Sequence, residues 1–191
     1  MEAFVRTFVA LRLQPSTRKR LHAAAEEIKA GDPAIRLPHE RDLHLTLQFL
    51  GRTAQEDLAA IGEALDEALE DVPPIALSFR GIGGFPNLER PRVLWAGIPD
   101  EEGGDACREL ARLVARALRP VGYRPEKRKF HPHVTIARVH RRPGEAVFQA
   151  LEASAELDLG GQIVSELKFI LSDPSQRPYH YIDLTTVELG G

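Results

Sequence analysis

The sequence predicts an α+β protein built as two related lobes. Strand-like and helix-like stretches alternate along the chain, and the order repeats loosely in the second half. A short motif, His-aliphatic-Thr-aliphatic, appears once in each half, as His44-Leu45-Thr46-Leu47 and as His133-Val134-Thr135-Ile136. The 191 residues, 43 % hydrophobic and 28 % charged, suit one domain or two small lobes sharing a core. Two α+β halves without symmetry fit the same order.

Phe4 to Leu13 reads as a strand, rich in β-branched and aromatic residues and followed by Pro15. The stretch from Pro15 to Gly31 predicts a helix, with Leu21, Ala24, Ala25 and Ile28 on one face. Leu43 to Leu50, closed by Gly51, predicts a strand. Gln55 to Asp71 predicts a second helix with Leu58, Ile61, Leu65 and Leu69 inward, ended by Pro73-Pro74. Ile75 to Ile82 and Arg92 to Ile98 read as a hairpin around the loop GGFPNLERP. Gly103 to Pro120 predicts a helix with Leu110, Leu113, Val114 and Ala117 facing in. Val134 to Val139 is a strand, Pro143 to Ala155 a short helix, and Ile163 to Leu171 and Tyr181 to Val187 late strands. The whole chain, 1–191, is expected to be one bilobal domain. Its approximate halves are 1–99 and 100–191, divided at the loop Pro99 to Asp105.

Composition excludes several classes. The net charge of −3 argues against a generally basic nucleic-acid binder. No apolar run is long enough to cross a membrane, and Arg6 and Arg12 interrupt the N-terminal apolar stretch, which reads as a strand rather than a signal peptide. The single Cys107 rules out an intrachain disulfide and a cysteine-rich metal site, so a reducing, cytoplasmic home is expected. Charge is unevenly spread. Seven acidic residues and no Lys or Arg lie between Thr53 and Asp71, read as the wet face of a helix. Between Tyr123 and Arg142 stand Arg124, Lys127, Arg128, Lys129, Arg138, Arg141 and Arg142 against Glu126 alone. This basic run brackets the second motif and points to an anionic ligand there.

Strand side chains alternate between faces. Strict alternation puts His44, Thr46 and Gln48 on one face, with Leu43, Leu45, Leu47 and Phe49 on the other. It likewise puts His133, Thr135 and Ala137 opposite Val134 and Ile136. One such motif is an ordinary half-exposed strand. Two copies, matched in residue type, spacing and flanking aliphatics, point to function. Two imidazoles across a cleft supply a base and an acid near neutral pH. Two hydroxyls supply donors to developing negative charge. A phosphodiester needs that set: a base on the attacking oxygen, an acid on the leaving oxygen and donors on the non-bridging oxygens.

The forms HLTLQFLG and FHPHVTIAR resemble the paired motifs of the 2H phosphoesterases. Within them the chain most resembles the RNA 2′,3′-cyclic phosphodiesterases, also called 2′-5′ RNA ligases, over nearly its whole length. The resemblance implies two lobes, each with an antiparallel sheet flanked by helices, around a central cleft. It implies metal-independent hydrolysis of RNA 2′,3′-cyclic phosphate ends to 2′-phosphates, with no cofactor. The reverse reaction would join ends through a 2′-5′ linkage. His44 is implied as general acid and His133 as general base, with Thr46 and Thr135 holding phosphate oxygens. Arg138 is implied to bind phosphate bidentately. Strict alternation turns Arg138 away from His133, so it reaches the cleft only if the strand bends or ends near Ala137. Phe49 has the same parity problem and reads as core.

Other readings are weaker. His131-Pro132-His133 lacks a third ligand at useful spacing for a metal, and grazes the histidine-triad pattern without its third histidine. Tyr123, Phe130 and Tyr181 read as packing aromatics, with stacking on a base as the alternative, and His22, His39, His140 and His180 as surface or structural residues. The expected partner is RNA ending in a 2′,3′-cyclic phosphate, with transfer-RNA fragments as one candidate, acted on by a monomer away from membranes. The alternatives are a phosphodiesterase for small cyclic nucleotides such as ADP-ribose 1″,2″-cyclic phosphate, and a non-catalytic module that binds RNA ends.

Overall fold

The computed structural model describes residues 4–173 and 180–190. Strand β1 (Phe4–Arg12) leads into helix α1 (Pro15–Lys29). Pro15 opens that helix, and Ala30 closes it in a left-handed conformation, donating its N–H to the Glu26 carbonyl. The short β2 (Ile35–Arg36) follows, then β3 (His44–Ala54), α2 (Leu58–Leu69), β4 (Ile75–Arg80), β5 (Ile82–Phe85) and β6 (Val93–Gly97). The remaining elements are α3 (Gly104–Leu118), β7 (His133–Val139), α4 (Glu145–Ala153), β8 (Asp158–Val164), β9 (Glu166–Asp173) and β10 (His180–Glu188).

The strands form a four-stranded sheet in the order β10-β9-β1-β3, a second in the order β2-β7-β6-β5, and a two-stranded β4-β8 ribbon. All pairings are antiparallel. This is the expected α+β class, with a third small sheet added to the two large ones. The division at Pro99 to Asp105 does not separate the lobes. Each large sheet takes strands from both sides of it. Helices exchange as well: α1 packs along β7 and beside α4, whereas α3 packs against β3 and α2. One continuous core, including Val9, Leu21, Leu45, Leu65, Leu110, Ile136 and Phe169, runs through the whole.

Three local expectations change. Ile75 to Ile82 is not one hairpin arm. Gly81, at φ +70°, breaks it, and a Cβ there would lie 2.3 Å from the Ala155 carbonyl oxygen. β4 therefore pairs with β8, and the hairpin is β5 with β6. The late strand expected from Ile163 to Leu171 is two strands. Gly160 and Gly161 hid the first of them, and both sit where a neighbour approaches closely: a Cβ at Gly161 would lie 2.5 Å from the Leu77 carbonyl oxygen. Helix α3 buries Cys107, Leu110, Ala111, Val114 and Leu118, a face turned slightly from the expected one. Leu113 is only half-buried, at the edge of the core.

Candidate active site

The two motif strands approach each other without sharing hydrogen bonds. β3 is the edge strand of its sheet, and β7 is covered on its outer side only by the two residues of β2. Between them lies the cleft.

Both strands bend at the same place. In β3 the partner register skips Leu47: Ala10 lies opposite Thr46, and Val9 opposite Gln48. In β7 it skips Ile136: Trp95 lies opposite Thr135, and Leu94 opposite Ala137. A β-bulge inserts one unpaired residue, so the alternation after it is reversed. Arg138 consequently shares the face of His133 and Thr135, and it is exposed. Phe49 shares the face of His44 and Thr46 and is 55 % exposed. Phe49 is therefore a cleft residue, contrary to the reading as core. Gln48 and Ala137, expected beside the histidines, are instead buried on the core side.

The histidines are held alike. Nδ1 of His44 donates to the Asp42 carbonyl at 2.6 Å, and Nδ1 of His133 donates to the His131 carbonyl at 2.6 Å. A carbonyl only accepts, so each bond fixes the tautomer and leaves Nε2 for chemistry. Aromatic rings brace both imidazoles. Phe8 stacks on His44 at 4.9 Å, and Tyr181 meets it edge-on at 5.4 Å. Phe85 meets His133 edge-on at 5.1 Å, and His131 stacks on it at 6.1 Å. Trp95 packs against Phe85 and His131. It has room because β5 carries Gly83 opposite it: a Cβ there would lie 2.1 Å from the indole.

This packing shifts both proton affinities. Burial, with the nearby charges of Arg12 and His133 adding to it and the Asp42 bond opposing, pushes His44 down to about 4. Burial also lowers His133, helped by the charge of His131 and opposed by the bond to the His131 carbonyl. In the free protein near neutral pH both rings are neutral.

A family model described as the 2′-5′ RNA ligase superfamily matches residues 10–173. The chain belongs to this superfamily. A relative from Archaeoglobus fulgidus, named RNA 2′,3′-cyclic phosphodiesterase, is 36 % identical over 152 residues, which is 80 % of this chain and 82 % of its own. One of the same name from Aquifex aeolicus is 31 % identical and matches over 98 % of both chains. Among solved structures, a protein of Thermus thermophilus superposes with a TM-score of 0.81 at 24 % identity, covering 97 % of this chain and 98 % of that one. E. coli LigT in complex with 3′-AMP superposes with a TM-score of 0.75 at 23 % identity, covering 99 % and 100 %. The fold is that of the 2H phosphoesterases.

Several residues of this superfamily member's cleft escaped the sequence reading. Phe8, Ala10 and Arg12 line it opposite Phe49, Thr46 and His44. Alternation along β1 could have found them, since Val9 and Leu11 are plainly the core side. Asp42 and His131 each stand two residues before a motif histidine, a spacing present in the sequence but silent about carbonyl bonds. Tyr181 joins Phe8 in a small cluster on the cleft face. Tyr123 and Phe130 pack against the main core, as expected.

Proposed function

We propose that this protein hydrolyses the 2′,3′-cyclic phosphate ends of RNA to 2′-phosphates, with His44 and His133 as an acid–base pair. The observation that carries the reading is the matched pair of bulged His-x-Thr strands, each presenting a tautomer-fixed Nε2 to one cleft. The relatives' shared name supports the substrate.

In this reaction His133 Nε2 removes a proton from water as the oxygen attacks phosphorus. The bond from phosphorus to the 3′-oxygen breaks, and that oxygen takes a proton from His44 Nε2. The products are a 2′-phosphate and a free 3′-hydroxyl. Thr46 and Thr135 donate to the non-bridging oxygens, and Arg138 offsets their growing charge. His44 must arrive protonated although burial disfavours this. The substrate's negative charge, a few ångströms away, raises its proton affinity when it binds. Run backwards, with the roles exchanged, a 5′-hydroxyl opens the cyclic phosphate and forms a 2′-5′ linkage. The protein acts as a monomer on RNA ends in the cytoplasm. No helix among the described residues is long and apolar enough to cross a membrane.

The test is to incubate the protein, with EDTA present, with an oligoribonucleotide bearing a 2′,3′-cyclic phosphate. A product whose terminal phosphate resists a 3′-specific phosphatase, absent with His44→Ala or His133→Ala, is expected. Equal turnover by the variants, or none by the wild type, overturns the proposal.

A further inference from the structure

We infer that the far end of the first sheet's open face, centred on Arg6 and Arg52, docks the RNA chain upstream of the cyclic phosphate. The inference rests on the reading that the cleft receives an RNA end.

β1 carries no bulge, so Arg12, Ala10, Phe8, Arg6 and Phe4 lie on one face, the face of His44. Arg6 and Arg52 are direct partners in the β1–β3 register, and both are exposed. Two like charges directly opposite each other weaken a sheet unless an anion lies between them. Some arginines of the protein are neutralised, Arg12 by Asp183, Arg80 by Glu102 and Arg108 by Asp105. Among the described residues no carboxylate pairs with Arg6 or Arg52. The Arg52 guanidinium instead lies 4.3 Å above the Phe4 ring. Here the surface forms a hollow of about 600 Å³, lined by Phe4, Val5, Arg6, Arg52, Leu171, Ser172 and Asp173. Its described lining carries two arginines and one carboxylate.

A second element adds charge at the same end. Tyr123 donates its hydroxyl hydrogen to Asp57 at 2.7 Å and accepts the backbone N–H of Ala54 at 3.3 Å. This pins the start of the 124–129 loop to the end of β3 that carries Arg52. Arg124, Lys127, Arg128 and Lys129 are all exposed on that loop.

Position along the strand decides which part of the RNA arrives. Ala10 lies opposite Thr46, and Arg6 is four residues further along β1. At about 3.4 Å per residue this is roughly 14 Å, beyond the terminal nucleotide held at the histidines. Phe8 and Phe49 lie between, with ring centroids 6.0 Å apart, and Phe49 offers an exposed face on which a base can stack. The ligand of the Arg6–Arg52 pair is thus a phosphate of the single-stranded chain 5′ to the reacting end.

The experiment compares kcat/KM for a cyclic mononucleotide with that for an octanucleotide carrying the same 2′,3′-cyclic end, over a range of salt. The wild type is expected to favour the octanucleotide. In the double variant Arg6→Gln/Arg52→Gln that advantage should fall about tenfold, and the salt slope should flatten by about 0.7 for each phosphate no longer neutralised. Thermal melting at low salt should be unchanged or higher in the variant, because a repulsive pair has gone. A variant that keeps the wild-type length advantage and salt slope overturns the inference, as does a wild type with no length preference. Should no oligonucleotide be hydrolysed, the function proposed above fails. The tract is then tested by fluorescence anisotropy with an octanucleotide ending in a 2′-phosphate: weaker binding by the variant supports the tract, and equal binding overturns it.

Discussion

β3 and β7 are two versions of one motif strand, and their differences are as informative as their likeness. Each carries histidine, threonine, a bulged aliphatic and a residue returned to the cleft face by the bulge. Each anchors its imidazole on the carbonyl two residues earlier at 2.6 Å. What surrounds the shared frame differs. The partner opposite His44 is Arg12, and opposite His133 it is Gly97. The bulge returns Phe49 in one strand and Arg138 in the other. The strand backbone therefore sets where the groups stand, while the neighbours set how tightly each imidazole holds a proton and what lies beside it.

The largest test of the likeness removes the imidazoles. His44→Ala and His133→Ala should each lower kcat by about 10²–10⁴. Under the proposed acid–base pairing both groups act in one transition state, so the double variant should lose little more than the worse single one. Losses that multiply in a steady-state assay would show two independent contributions and break the pairing.

Next comes the contrast created by the bulges. Arg138→Ala should lower kcat/KM about 10- to 100-fold, the scale of a charge-assisted hydrogen bond. Arg138→Lys should recover only part of it. Phe49→Ala should act mainly on KM and more weakly. Equal effects on kcat at the two positions would mean that the bulge, rather than the side chain it returns, carries the contribution.

The third contrast is electrostatic. Arg12 helps depress His44, whereas the cation that helps depress His133 is another imidazole, His131. Arg12→Gln removes that cation and releases Asp183, and both changes favour a charged imidazole. The His44 resonance, followed by NMR, should then titrate at higher pH than in the wild type, with His133 moving less. Since both rings are depressed, the bell-shaped profile of kcat/KM should peak below about pH 6.5, the usual imidazole value. The profile of kcat should lie at higher pH, because bound phosphate favours the charged rings. Stability follows the same shift. The unfolded chain binds the His44 proton more tightly, so protein stability falls as pH drops from about 6.5 through about 4. The loss is about 2 kcal/mol after discounting for the solvated, cleft-facing edge of the ring. A Tm that stays flat across this window would contradict the burial of His44.

Much of this was legible in the sequence. The two motifs located both histidines, and periodicity located the buried faces of α1 and α2, because local apolar spacing alone decides those. Faces beyond each threonine were not legible. A bulge is a property of two paired strands, and a sequence read one strand at a time keeps alternating past it. Gln48, Phe49, Ala137 and Arg138 were all displaced by that single cause. The lobes were illegible for a related reason: the sheets interleave both halves of the chain, and long-range pairing leaves no local periodicity.

The smallest effect concerns the core side of the bulge. Gln48 and Ala137 stand at equivalent places, and both are almost wholly buried. Ala137 presents a methyl group to the core. Gln48 presents an amide whose nitrogen and oxygen find no partner among the described residues. An unpartnered buried amide costs about 1–3 kcal/mol, whereas an unbranched apolar chain of similar length has no such cost. Gln48→Met should therefore raise the denaturant midpoint, by a gain of about 1 kcal/mol at unchanged slope. With the bulge at Leu47 intact, His44 and Thr46 keep their places, and kcat should stay near the wild-type value. A gain in stability with lost turnover would show that the amide helps to hold the bulge. The first strand would then owe its shape to a buried polar group that the second strand does without.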